Sequence, residues 1–176
     1  MPQNSFSTQP FEAKRVQCES TRSYDEVLQN FQQLVDTTDH SAVGQGFSES
    51  VRTREDYEKV VRSQVGESDF MLFFSIDYGW LKVFGIQRRV MRLIFGNPLI
   101  AITMMRHDLT AGLFAPVEIL VVENESGDGS IVIYDVPSSL MRIENNPAML
   151  EAAHALDSKL QTLVSRVTGV ELDHQN

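Results

Sequence analysis

The sequence predicts an α+β fold, an antiparallel sheet with helices packed on one face, and three observations carry that expectation. The elements run strand, helix, four strands with helical interruptions, then one long closing helix. The stretch Leu93 to His107 reads as an apolar strand, a glycine break at Gly96, an Asn97-Pro98 helix start and a methionine-rich helix. Asn124-Glu125-Ser126-Gly127-Asp128-Gly129 is a hairpin turn signal set between two apolar runs.

Residues 1–10 are polar with two prolines and read as a loose tail, leaving 11–170 as a single domain and 171–176 as a second tail. Arg15 to Ser20 is a short strand. Ser23-Tyr24-Asp25-Glu26 has capping-box form, and Val27, Leu28, Phe31, Leu34 and Val35 follow at helical spacing to about Asp36. Residues 37–53 are rich in Thr, Ser, Asp and Gly and read as a loop. Arg54 to Val65 is a short charged helix with Tyr57, Val60 and Val61 on one side, so that 37–68 forms an inserted loop-helix segment. Phe70 to Ile76 is almost wholly apolar and predicts a buried strand. Trp80 to Ile86 is a compact apolar connection, Arg89 to Phe95 the next strand, and Pro98 to about Arg106 a helix. Val117 to Glu123 and Ile131 to Val136 flank the hairpin turn. Asn146-Pro147 opens the last helix, whose stripe is Leu150, Ala153, Leu156, Leu160, Leu163, Val164 and Val167, and Gly169 ends it.

A chain of 176 residues is long enough to bury a real core, and 42% hydrophobic with 22% charged residues is ordinary globular composition. Fifteen Lys and Arg against 24 Asp and Glu give a formal charge of −9. Such a balance repels phosphate backbones, so no nucleic-acid partner is expected. No run approaches the roughly 18 apolar residues that cross a bilayer, and the start lacks a basic, then apolar, secretory pattern; a cytoplasmic protein without a membrane partner is expected. Cys18 is the single cysteine, which excludes an internal disulfide and any multi-thiolate metal cluster. Asn124-Glu125-Ser126 fits a glycosylation sequon by chance.

Candidate chemistry is sparse. Gly96-Asn97-Pro98 is explained as a turn, a cap and a preset φ angle, or as a helix end offering N–H groups to an anionic atom. Strand alternation puts Ser75 and Asp77 on one face with Met71 and Phe73. Asp77 is then either a turn residue or an acid at a pocket mouth, and it is the best single acid/base candidate. His107 at a helix end gains from the helix dipole without any catalytic role. Glu151 and His154 have the spacing of one half of a di-metal site, but the second copy is missing, and His40 and His174 build no ligand cluster, so no metal and no cofactor are expected. Gly44-Gln45-Gly46 lacks the context of a phosphate cradle, and Gly46-Phe47-Ser48 lacks the glycine that closes a nucleophile elbow. Met104 and Met105 suit either core packing or an irregular apolar pocket. Arg88, Arg89 and Arg92 form the densest basic spot, a solvated edge or a carboxylate clamp. Glu118 and Tyr134 are polar groups on strand faces that also carry apolar residues, and so possible pocket markers.

The strand ending in Ile76-Asp77, the Ile94-Phe95-Gly96-Asn97-Pro98 junction with Met104 and Met105, and Pro116 to Glu123 resemble the family called domain of unknown function 302. Asp128-Gly129, the strand with Tyr134 and the last helix continue the resemblance, which covers about 15–36 and 69–168. It implies a small α+β fold similar to a single TATA-binding-protein-like unit, often dimeric, and it lends no catalytic residue. Two departures stand out: residues 37–68 intervene where a tight turn is usual, and Tyr78 follows the aspartate where histidine is common.

Three readings follow. The first is a homodimeric binding domain for a small apolar or acidic molecule in a pocket between sheet and helices, lined by Met71, Phe73, Asp77, Asn97, Met104 and Met105, with 37–68 as lid or dimer surface. The second is a cofactor-independent isomerase or cyclase using Asp77, with Asn97 or its helix end stabilising an oxyanion. The third is a protein-interaction module with an exposed sheet face or edge.

Overall fold

A computed structural model describes residues 5–8, 10–38, 51–141 and 146–172. The readings at His40, Gly44-Gln45-Gly46, Gly46-Phe47-Ser48 and His174 fall outside them. Five strands, β1 (Arg15–Ser20), β2 (Met71–Asp77), β3 (Val90–Gly96), β4 (Val117–Glu123) and β5 (Ser130–Asp135), form one sheet in the order β1-β5-β4-β3-β2. Every neighbouring pair is antiparallel, and β4 and β5 make the expected hairpin.

The helices are α1 (Tyr24–Leu34), α2 (Arg54–Arg62), α3 (Pro98–Met105), α4 (Pro137–Leu140) and α5 (Pro147–Thr168), with 3-10 helices at Gly79–Phe84 and Leu109–Leu113. Ser23 and Glu26 close the capping box of α1, the Glu26 carboxylate accepting the Ser23 backbone N–H at 2.7 Å. Asn146 caps α5 by accepting the Met149 N–H at 3.0 Å, and Gly169 ends that helix at φ 73°, where a glycine carries no Cβ penalty.

One face of the sheet is the core face. Cys18, Leu93, Phe95, Val117, Ile119, Val121, Val132 and Tyr134 are buried there against Val27 and Phe31 of α1 and Leu156, Leu160 and Leu163 of α5. Phe95 stands edge-on to two rings, Phe31 at 5.1 Å and Phe70 at 5.3 Å. In α5 the stripe begins at Met149, which is buried, while Leu150, expected there, is 40% exposed. The start of the helix places that turn's inward direction one residue earlier.

A second, smaller cluster holds Val61 and Met71 with Tyr57, Val60, Val65, Phe73 and Leu99, so α2 lies over the start of β2 and the front of α3. The end of α1 is locked to the approach of β2. Leu72 N–H donates to Asp36 O at 2.8 Å, and Gly66 N–H donates to Phe70 O at 2.9 Å. This crossing leaves no room for a side chain at Gly66, where a Cβ would stand 2.4 Å from Leu34 O and 2.6 Å from Asp36 N. The obstacle is backbone and cannot swing aside. Gly66→Ala is expected to destabilise the fold by about 2–3 kcal/mol, the upper range for overpacking, read as a fall in the urea midpoint without a change in slope.

Candidate functional site

The eight residues singled out in the sequence do not converge. A register shift between Leu72 and Phe74 sets Leu72 opposite Phe95 but Phe74 opposite Ile94, and those two partners face opposite sides of the sheet. Phe73 is the extra residue of this bulge. Simple alternation therefore fails along β2: Met71 and Phe73 join the α2 cluster, whereas Ser75 and Asp77 register with Leu93 and Met91 on the core side.

The glycine-broken joint is filled. A Cβ on Gly96 would meet Pro116 Cβ at 3.3 Å and Phe73 Cε2 at 3.4 Å. Asn97 Oδ1 accepts the Leu99 N–H at 2.8 Å while its Nδ2 donates to Asp69 O at 2.9 Å, so both ends of that amide are engaged. Met104 is fully buried in the main core, and Met105 packs against it. The cap reading accounts for Asn97 and Pro98, whereas Gly96 ends β3 without a left-handed φ and is explained by the close approach of Pro116 and Phe73 rather than by a turn.

Nor can Asp77 and Asn97 share a substrate. Met71 pairs with Gly96 and Asp77 with Met91, so the two sit at opposite ends of the β2–β3 pair, about 20 Å apart at roughly 3.3 Å per strand residue. Asp77 is exposed, and its Oδ1 accepts the Gly79 N–H at 2.8 Å, the hydrogen bond of a turn residue. The isomerase or cyclase geometry is lost with this separation.

Tyr134 is 6% exposed on the core face, near Cys18 and Asp157. Burial first, then the neighbouring Asp157 charge, push its phenol up to about 12. An unfolded tyrosine titrates near 10. The folded state thus resists ionisation; its advantage is complete below about pH 10 and lost as pH rises toward about 12. Tyr134→Phe is expected to flatten this alkaline loss, worth on the order of 1 kcal/mol by pH 11, in urea titrations compared at pH 8 and pH 11.

The three arginines part company. Arg92 pairs with Glu118 on the outer side of the sheet. Arg89 lies 4.5 Å over the Tyr24 ring and donates to Glu123 and to Asp25, each at 2.8 Å. Those bonds hold the Glu123 carboxyl below its ordinary range. Arg88 donates through Nε to Glu123 O at 2.8 Å. Arg88 and Arg89, with Tyr24, Asp77, Tyr78, Gly79, Lys82 and Met91, line a cleft of about 200 Å³ where α1 begins and β2 ends. Glu151, His154 and His107 are exposed.

The other feature is the outer side of the sheet. Val90 and Ile94 of β3, Leu120 and Val122 of β4, and Ile131 and Ile133 of β5 alternate with core residues, and none belongs to either core cluster. Register aligns them in rows: Ile133, Leu120, Arg92 and Ile76 in one, Ile131, Val122 and Val90 in the next, Glu118, Ile94 and Phe74 in a third. Phe74 is 69% exposed. The segment Trp80 to Ile86, expected to be compact, leaves Val83 83% and Phe84 73% exposed, with Trp80 stacked edge-on to Phe84 at 5.9 Å. Among the described residues no helix is long and apolar enough to cross a membrane.

A family model described as domain of unknown function DUF302 matches residues 47–167, more than half the chain. The chain belongs to this family. The match begins inside the segment read as an insert and runs through α2; it does not extend to β1 and α1. The crystal structure of an uncharacterized conserved DUF302 protein from Bacillus stearothermophilus is similar in fold, with a TM-score of 0.58 at 15% identity, covering 87% of this chain and 97% of that one. No curated protein matches the chain.

The expected exposed sheet face of an interaction module did not specify which strands join in it, although the residue pattern carries that signal. Leu120, Val122, Ile131 and Ile133 are apolar at the positions that alternate with the core, where a water-facing sheet surface is ordinarily polar.

Proposed function

We propose that this DUF302 domain is an interaction module that pairs with a second copy of itself through the outer face of its sheet. The observation that carries the reading is the set of apolar rows on that face, with side chains belonging to neither core cluster. Five strands about 4.8 Å apart and 20 Å long present on the order of 500 Å² of flat area. That is more than half of the roughly 800 Å² per partner of a standard interface, and Trp80, Val83 and Phe84, exposed beyond the end of β2, are further apolar area available to a partner.

Charge supports a like partner. In a chain of net −9 the outer face carries Arg15 and Arg92 against Glu19, Glu118 and Asp135, close to balance, with Arg15 paired to Asp135 at 2.7 Å. Arg92 and Glu118 lie side by side, and a twofold axis between them sets each guanidinium against the carboxylate of the other copy. Sedimentation equilibrium of the wild-type chain at micromolar concentration is expected to give twice the 19.9 kDa chain mass. A monomer throughout the micromolar range refutes the reading.

A further inference from the structure

We infer that the cleft between the start of α1 and the end of β2 is a binding site for a small organic carboxylate carrying a hydrogen-bond donor at its far end. The cleft lies on the core side of β2 and β3, so the inference does not rest on pairing through the outer face.

The polar groups around the cleft differ in what they have left to offer. Arg89 is spent, with Nε and both terminal nitrogens given to Glu123 and Asp25. Lys82 has no ion-pair partner among the described residues, and Arg88 uses only its Nε, leaving the two terminal guanidinium nitrogens. Two cations thus remain beside one cavity in a chain of net −9. Tyr24 adds a donor. The residue is 5% exposed and lines the cleft, while its hydroxyl, which is not among the fully buried atoms, makes no hydrogen bond to a described residue and can donate to an occupant. Burial and the Asp77 charge raise its pKa further above the neutral range, so the phenol is a donor there.

Asp77 fixes the ligand class. Its Oδ1 is held by Gly79, and Oδ2 remains to accept a bond from a ligand hydroxyl or amine. The same carboxylate repels a compact dianion such as phosphate. A monocarboxylate set on Lys82, Arg88 and the Tyr24 hydroxyl, with a donor reaching Asp77 and an apolar body over Met91, satisfies every one of these groups. About 200 Å³ is below the roughly 300–1,000 Å³ of drug-sized sites, so a single-ring molecule is the right scale.

The test uses 4-hydroxybenzoate, benzoate and inorganic phosphate against the full chain, read by calorimetry and by amide shifts. Saturable binding of 4-hydroxybenzoate is expected, with shifts centred on Tyr24, Gly79 and Met91. The double variant Lys82→Gln, Arg88→Gln should weaken it at least tenfold. Asp77→Asn should weaken 4-hydroxybenzoate severalfold relative to benzoate, which should bind no less tightly than to the wild type. All three side chains line an open cleft, and matching circular dichroism confirms that the variants fold. Failure of 4-hydroxybenzoate to saturate, shifts elsewhere, an unaffected double variant, or phosphate binding as tightly as the carboxylates each overturns the inference.

Discussion

Leu120→Glu is expected to turn a dimer into a monomer while leaving the fold intact. Leu120 sits in the middle strand of the sheet, registered between Ile133 and Arg92 on the outer side. In a twofold pairing each substitution enters the interface twice. Burying a carboxylate without a matched partner costs several kcal/mol even after relaxation, so a weakening of at least about a hundredfold is a conservative expectation. In the separated chain the half-buried position loses its apolar contact with Ile133 but gains Arg92 as a neighbour, and stability should fall by no more than about 1 kcal/mol. Ile133→Glu, in the same row, should behave alike. Sedimentation velocity gives the assembly state and a thermal melt at low concentration gives the fold. A variant that melts normally and stays dimeric places the contact surface elsewhere.

Phe95→Ala is expected to be the most damaging single truncation, at about 3–5 kcal/mol. The ring is fully buried in β3 and is the shared partner of Phe31 in α1 and Phe70 before β2. Its loss opens a cavity where three elements meet, between two large rings that are themselves packed in the core. Domains of this size are stable by only about 5–15 kcal/mol. Urea unfolding measures the change. A loss under about 1 kcal/mol means the neighbouring rings collapse into the space, contrary to a rigid junction at this point.

The helix ends were legible because their signals are local. Ser23 with Glu26, Asn97 with Pro98, Asn146 with Pro147, and Gly169 at the far end of the last helix each act within one turn, and each does in the structure what its spacing implies. The five strands and the hairpin were legible for a similar reason, since alternation and turn composition are short-range patterns. The short helix Pro137–Leu140 and the 3-10 helix Leu109–Leu113 carry no such period and were missed.

The grouping of site residues was not legible. One bulged residue in β2 sends Met71 and Asp77 to different surroundings, and nothing in Met71-Leu72-Phe73-Phe74 announces it. The identity of the space filler at Gly96 was equally hidden, because Pro116 and Phe73 reach it from distant parts of the chain. Tyr24 was read only as the first residue of a helix. Its place beside Asp77 and Arg89 depends on how α1 crosses the sheet.

The most direct measurement is an intermolecular nuclear Overhauser experiment on a mixed sample, one copy carrying labelled Ile, Leu and Val methyls and the other unlabelled. Cross-peaks between copies are predicted at Leu120, Val122, Ile131, Ile133 and Ile94, with none at the buried methyls of Leu156 or Leu160. Intermolecular peaks confined to the helical side, or none at protein concentrations where the mass is twofold, would contradict pairing through the sheet.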